Sequence, residues 1–208
     1  MNEKRTAVLY VHGKGGNAAE SEHYKHLFPE YDVIGFDYKA ETPWAAKPEF
    51  KAEINKLKSQ YDEIILVAVS IGAYFSMNAG ISNDINRAYF ISPVVSMEKL
   101  ITSMMLWAGV SEERLEQEGI IKTGFGDDLN WEYLQYVRNN PIIWDVPTEV
   151  IYGSSDSLQS RETVTAFAEE HGAGLAVMDG GEHWFHTDEQ MKFLDERIIK
   201  CEEELHKY

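Results

Sequence analysis

The chain has a single cysteine, Cys201, in 208 residues. One thiol cannot close an internal disulfide, so nothing in the sequence reads as a stapled, oxidised, secreted scaffold. Basic residues are also scarce: 19 Lys and Arg stand against 35 Asp and Glu, a formal net charge of −16. A field of that sign repels phosphate backbones and anionic bilayers, so neither nucleic acid nor a membrane surface is an expected partner. Long apolar runs are missing as well. The opening stretch AVLYVH is too short to span a bilayer. No N-terminal segment joins a basic region to an apolar one and a cleavage site. The expectation is a cytoplasmic monomer or homodimer that acts on a small molecule.

What is present suits one folded domain, with 44% hydrophobic and 12% aromatic residues. Six short β-rich runs recur: Thr6 to Val11, Asp32 to Phe36, Glu63 to Val69, Arg87 to Ile91, Thr148 to Tyr152 and Gly174 to Met178. Several are continuous in Val, Ile, Leu and Tyr instead of alternating, as a parallel sheet covered on both faces requires. Helical patterns separate them. Glu49 to Tyr61 puts Phe50, Ile54 and Leu57 on one stripe, and Ser160 to His171 ends at Gly172. Thr187 to Leu205 opens with Thr187 and Gln190 in capping-box spacing. Strand and helix in alternation give an α/β fold with a mostly parallel six-stranded sheet and helices on both faces.

One connection is too long for a simple crossover. Residues 92–146 carry helical segments at Val95 to Ala108, Ser111 to Glu118 and Leu129 to Asn139. Met97, Met104, Met105, Leu106 and Trp107 form an apolar cluster there. The region reads as a helical cap inserted in a single 1–208 domain; the competing reading is an ordinary pair of packing helices.

Four short stretches fall at strand ends, where open α/β sheets bind their ligands. Ala68-Val69-Ser70-Ile71-Gly72 follows the most apolar strand and precedes a helix. Small residues two places either side of Ser70 permit a sharp turn that lifts the hydroxyl out of the sheet. On local grounds, a serine there also suits a helix N-cap. His12-Gly13-Lys14-Gly15-Gly16 follows the first strand and matches neither a Walker A loop nor a dinucleotide fingerprint. Its Lys14 or Gly13 N–H, with that of Ile71, could hold an oxyanion. Asp156, past the fifth strand, could orient an imidazole. Beyond the last strand, His183 is favoured over His186 as a general base. Glu182, His183 and His186 lack the spacing and company of a metal site, so no metal is expected.

The order of the four turns weak signals into a strong one: glycine-rich loop, serine, aspartate, histidine, each after its own strand. Through VLYVHGKGG, AVSIGA, VIYGSSD and GGEHWFH, the sequence resembles the α/β-hydrolase superfamily, compact bacterial serine esterases above all. The resemblance implies Ser70 as nucleophile, His183 as base and Asp156 as its orienter. Lys14 and Ile71 would give the oxyanion amides, and no cofactor is implied. Ala68 departs from the usual glycine. Ester or thioester cleavage through an acyl-enzyme is the implied chemistry, on a small apolar substrate met by Gly13, Met104, Trp107 and Trp184. A peptidase or other acyl-transfer enzyme with the same triad, and a non-catalytic binding protein on the same fold, are the rival readings.

Overall fold

The computed structural model describes residues 4–205. In chain order the elements begin with β1 (Thr6–Val11), a 3-10 helix (Ala18–His26), β2 (Asp32–Phe36), α1 (Pro43–Lys58), β3 (Glu63–Val69) and α2 (Ile71–Asn78). A short 3-10 turn, Ser82–Asp84, leads to β4 (Arg87–Ile91), α3 (Met97–Ala108), α4 (Glu112–Glu118), β5 (Ile120–Ile121), β6 (Leu129–Asn130) and α5 (Trp131–Asn139). The chain ends with β7 (Thr148–Gly153), α6 (Arg161–His171), β8 (Gly174–Met178) and α7 (Asp188–Leu205).

Six strands form one sheet in the order β2-β1-β3-β4-β7-β8, parallel at every junction. Ile64 to Ala68 of β3 are fully enclosed, since a central parallel strand has helices on both faces. The edge strands β2 and β8 stay half-exposed. From β1 the chain steps outward to β2, then returns past β1 to β3 and grows the other way. The direction of winding therefore reverses between β1 and β3. The crevice beyond the carboxyl ends of these two strands is where a doubly wound sheet binds its ligand.

The chain falls into two compact units: one runs to Val95 and resumes at Trp144, and the other is Ser96–Ile143. The second holds α3, α4, α5 and a two-stranded antiparallel pair, β5 with β6. On α3, Met97, Ile101 and Met105 form a buried i, i+4 stripe, whereas Leu106 and Trp107 are exposed. Arg138 on α5 joins Glu98 of α3 and Glu112 of α4.

Two helix starts differ from the sequence reading. The Phe50, Ile54 and Leu57 stripe predicts a helix from Glu49, but α1 begins at Pro43 under a Thr42 cap, and Pro48 lies inside it. Proline at the first position is pre-set for a helix, so the earlier start wins, and one lost bond in the second turn is tolerated. Leu129 and Asn130 pair with β5 instead of beginning α5, and Asn130 Oδ1 caps that helix through the Tyr133 N–H at 3.1 Å. Among the described residues, no helix is long and apolar enough to cross a membrane.

Candidate active site

Ser70 sits between β3 and α2 in a conformation that L-residues rarely adopt, with φ +52° and ψ −121°. An N-cap serine would be extended, with its oxygen taking an amide from the first turn. Thr42, Ser96, Ser111, Asn130 and Ser160 all do this for their helices. Ser70 makes no such bond. Its Oγ lies instead 2.8 Å from His183 Nε2. Backbone bonds hold the strained residue: its N–H donates to Ile91 O at 3.0 Å, and its carbonyl accepts the Val94 N–H at 3.1 Å. Ser92, wholly buried and also at positive φ, lies between those two partners, so one strained strand exit braces the other. Nothing in the sequence flags it.

Close packing explains the small residues around the turn. A Cβ on Gly72 would fall 2.4 Å from His12 O and 2.9 Å from Val11 Cγ1, so no side chain fits. Ala68, by contrast, is an ordinary enclosed strand residue paired with Val11 and Phe90. The β1 loop runs along the elbow, where a Cβ on Gly13 would come within 3.2 Å of Ser70 Cβ. The Gly13 carbonyl takes the Gly16 N–H at 3.1 Å and His12 Nδ1 at 2.8 Å. The C=O and N–H of a trans peptide point in opposite directions, so fixing this carbonyl also fixes the direction of the Lys14 N–H. His12 is buried and stacked on Tyr38 at 4.3 Å, and its Nε2 has no partner. Ile71 heads α2, where the first N–H groups lack intrahelical acceptors.

Asp156 and His183 come from two loops that interlock. Ser155 N–H donates to Gly181 O at 2.8 Å and Ser154 N–H to Met178 O at 2.9 Å. Gly153 makes this possible, since a Cβ there would lie 2.3 Å from Gly181 O. The Asp156 side chain is wholly enclosed, whereas that of His183 is 19% exposed. Asp156 Oδ1 accepts the N–H groups of Leu158 and Gln159 at 2.7 and 3.1 Å. Its Oδ2 faces His183 Nδ1 at 2.7 Å. With a carboxylate at Nδ1, the ring carries its proton there and turns a lone pair on Nε2 toward Ser70. His186 takes no part: its Nδ1 donates to Trp184 O at 2.7 Å, and its backbone N–H donates to Gln190.

Known structures share this architecture. Est1E from Butyrivibrio proteoclasticus, with ferulic acid bound, matches 97% of this chain over 90% of its own, at TM-score 0.75 and 16% identity. The α/β hydrolase domain-containing protein 10 from mouse matches at TM-score 0.74 and 14% identity, covering 96% of this chain and 90% of its own. A monoacylglycerol lipase from Paleococcus ferrophilus matches at TM-score 0.63 and 14% identity, covering 93% and 94%. The chain has the α/β-hydrolase fold. No protein-family model matches the sequence, and no curated protein matches it either.

Within this fold a cavity of about 560 Å³ opens beside Ser70 and His183. Gly13, Lys14 and Trp184 line it, and Trp184 is 72% exposed with its ring stacked on His186. All the lining residues belong to the unit that carries the sheet. Met104 and Trp107 lie on α3 of the other unit, where Trp107 meets Phe125 edge to face at 6.2 Å. Tyr10, Glu20 and Tyr24 also line the cavity, and the sequence reading missed all three. The Asn17-Ala-Ala-Glu20 spacing, a capping box that opens the 3-10 helix, was the available signal. Among the described residues, no group of three or more His, Cys, Asp or Glu could hold a metal.

Proposed function

We propose that the protein is a serine hydrolase that cleaves a carboxylic ester or thioester through an acyl-enzyme on Ser70. The observation that carries this reading is the Ser70 elbow. A serine that gives up helix capping for a strained backbone, and turns its hydroxyl to an imidazole backed by a buried carboxylate, is arranged for nucleophilic attack. Ester-acting neighbours such as the lipase agree with it, at the level of fold.

In this reading Ser70 Oγ attacks the carbonyl carbon while its proton passes to His183 Nε2. The Asp156 carboxylate stabilises the imidazolium that forms. The N–H groups of Ile71 and Lys14 receive the oxyanion, each worth about 2.7–4 kcal/mol in the transition state. Collapse of the intermediate expels the alcohol or thiol, which takes its proton from His183. Water then surrenders a proton to His183 and attacks the acyl-serine, releasing the acid and restoring the hydroxyl. The test is turnover of short p-nitrophenyl esters. The wild type is expected to hydrolyse them, and Ser70→Ala to lose about 10⁶-fold in kcat; turnover near the wild-type rate by a folded Ser70→Ala protein would refute the assignment.

A further inference from the structure

The 3-10 helix Ala18–His26 builds a polar end of the cavity beside Ser70. Its Glu20 side chain accepts the Asn17 N–H at Oε1 (3.2 Å) and the Tyr10 hydroxyl at Oε2 (2.6 Å). Both donors are neutral, so neither cancels the carboxylate's charge. A carboxylate offers about four acceptor positions, which leaves room for a further donor. The helix cap does not call for that charge, because glutamine closes a capping box as well as glutamate does.

The placement is specific. A Cβ on Gly16 would lie 2.9 Å from both Glu20 oxygens, and one on Gly13 would lie 3.2 Å from Ser70 Cβ. Gly13 O and Gly16 N are joined by a 3.1 Å bond, so the carboxylate and the hydroxyl sit at opposite ends of one tight turn. Tyr10 and Tyr24, stacked at 5.0 Å, wall the same end with aromatic rings. His23 also lines the cavity, with its Nε2 on Asp195 at 2.7 Å, and Lys14 supplies a cation at the loop.

We propose that Glu20 is a specificity site that receives a cationic hydrogen-bond donor, a protonated amine or guanidinium, on the arm of the substrate that enters this end. The proposal rests on the Ser70 reading and replaces the apolar expectation at this end of the cavity only. Glu20 is itself exposed at the cavity mouth, so an entering cation can reach it, and a charge-assisted bond from an ammonium to a carboxylate outweighs its neutral counterpart.

Alkylboronic acids, which add reversibly to an activated serine, test it without a known substrate. Hexylboronic acid and its ammonium-, hydroxyl- and carboxylate-terminated analogues would be compared as inhibitors of ester turnover. The ammonium compound is expected to bind about tenfold more tightly than hexylboronic acid, and the carboxylate compound more weakly. Glu20→Gln, which keeps the cap, is expected to erase the ammonium advantage, with its folding checked by melting temperature. Equal binding of the ammonium and hexyl compounds overturns the proposal, as does preference for the carboxylate compound, which would make Lys14 the reader of the arm. An ammonium advantage that survives Glu20→Gln overturns it too, by tracing the effect to the net charge of −16. Failure of hexylboronic acid itself to inhibit would refute the Ser70 reading, and the proposal with it.

Discussion

Replacing Asp156 by Asn separates holding the loop from orienting the imidazole, because the two carboxylate oxygens divide these tasks. Oδ1 takes the Leu158 and Gln159 amides, and an Asn carbonyl oxygen can keep both bonds. Oδ2 accepts from His183 Nδ1, and there Asn presents an NH2 donor. The ring must then accept at Nδ1 and carry its proton on Nε2, where it can no longer take one from Ser70. In a triad of this kind the wrong tautomer costs about 10⁴ in kcat, or about 5.5 kcal/mol of barrier. The cost in stability is far smaller. One charge-assisted bond is exchanged for a neutral one, at most about 2 kcal/mol, which lowers Tm by about 4–8 °C in a domain of this size. The assay is kcat for a p-nitrophenyl ester beside a thermal melt of the same preparation. A folded Asp156→Asn protein within about tenfold of wild type would refute the orienting role.

Other outcomes follow from the packing around the site. Gly72→Ala, whose Cβ would strike His12 O, is expected to lower both the melting temperature and turnover, whereas Ala68→Gly is expected to keep turnover and cost about 0.5–1 kcal/mol. Urea titrations and ester assays on both variants check this. His12→Phe retains a ring against Tyr38 but loses the bond to Gly13 O, so kcat is expected to fall about 10–100-fold with little change in KM. An unchanged kcat would remove His12 from oxyanion-loop positioning. Burial, above all, pushes the phenols of Tyr10, Tyr24, Tyr38 and Tyr89 well above their ordinary value, with Tyr24, Glu20, Glu49 and Glu202 among the lesser causes. A raised folded pKa contributes stability that is present below the unfolded value, about 10, and lost as pH climbs through the folded one. Tyrosinate absorbance from these residues is therefore expected to rise together with loss of circular dichroism, not before it.

The sheet was legible because a central parallel strand has no polar face: β3 is written EIILVAV, with no alternation to misread. The positions of Ser70, Asp156 and His183 were legible because each follows a strand. Harder to read were features set by competition between nearby signals. Pro43 and Pro48 both suit a helix entrance, and only the Thr42 cap decides between them. Leu129 and Asn130 fit a helix by periodicity but are drawn into a pairing with β5. Hardest was the wall of the cavity. Tyr10 reads as a strand residue and Glu20 as a cap, and their meeting beside Ser70 depends on the path of the 3-10 helix, which has almost no amphipathic pattern.

If Ser70 is an activated nucleophile, a fluorophosphonate should label it covalently, and intact-protein mass spectrometry reads that label. A single adduct is expected, mapped to Ser70 by peptide sequencing and absent from Ser70→Ala. A folded wild-type protein that takes up no label, or takes it up at another residue, would contradict the nucleophile assignment.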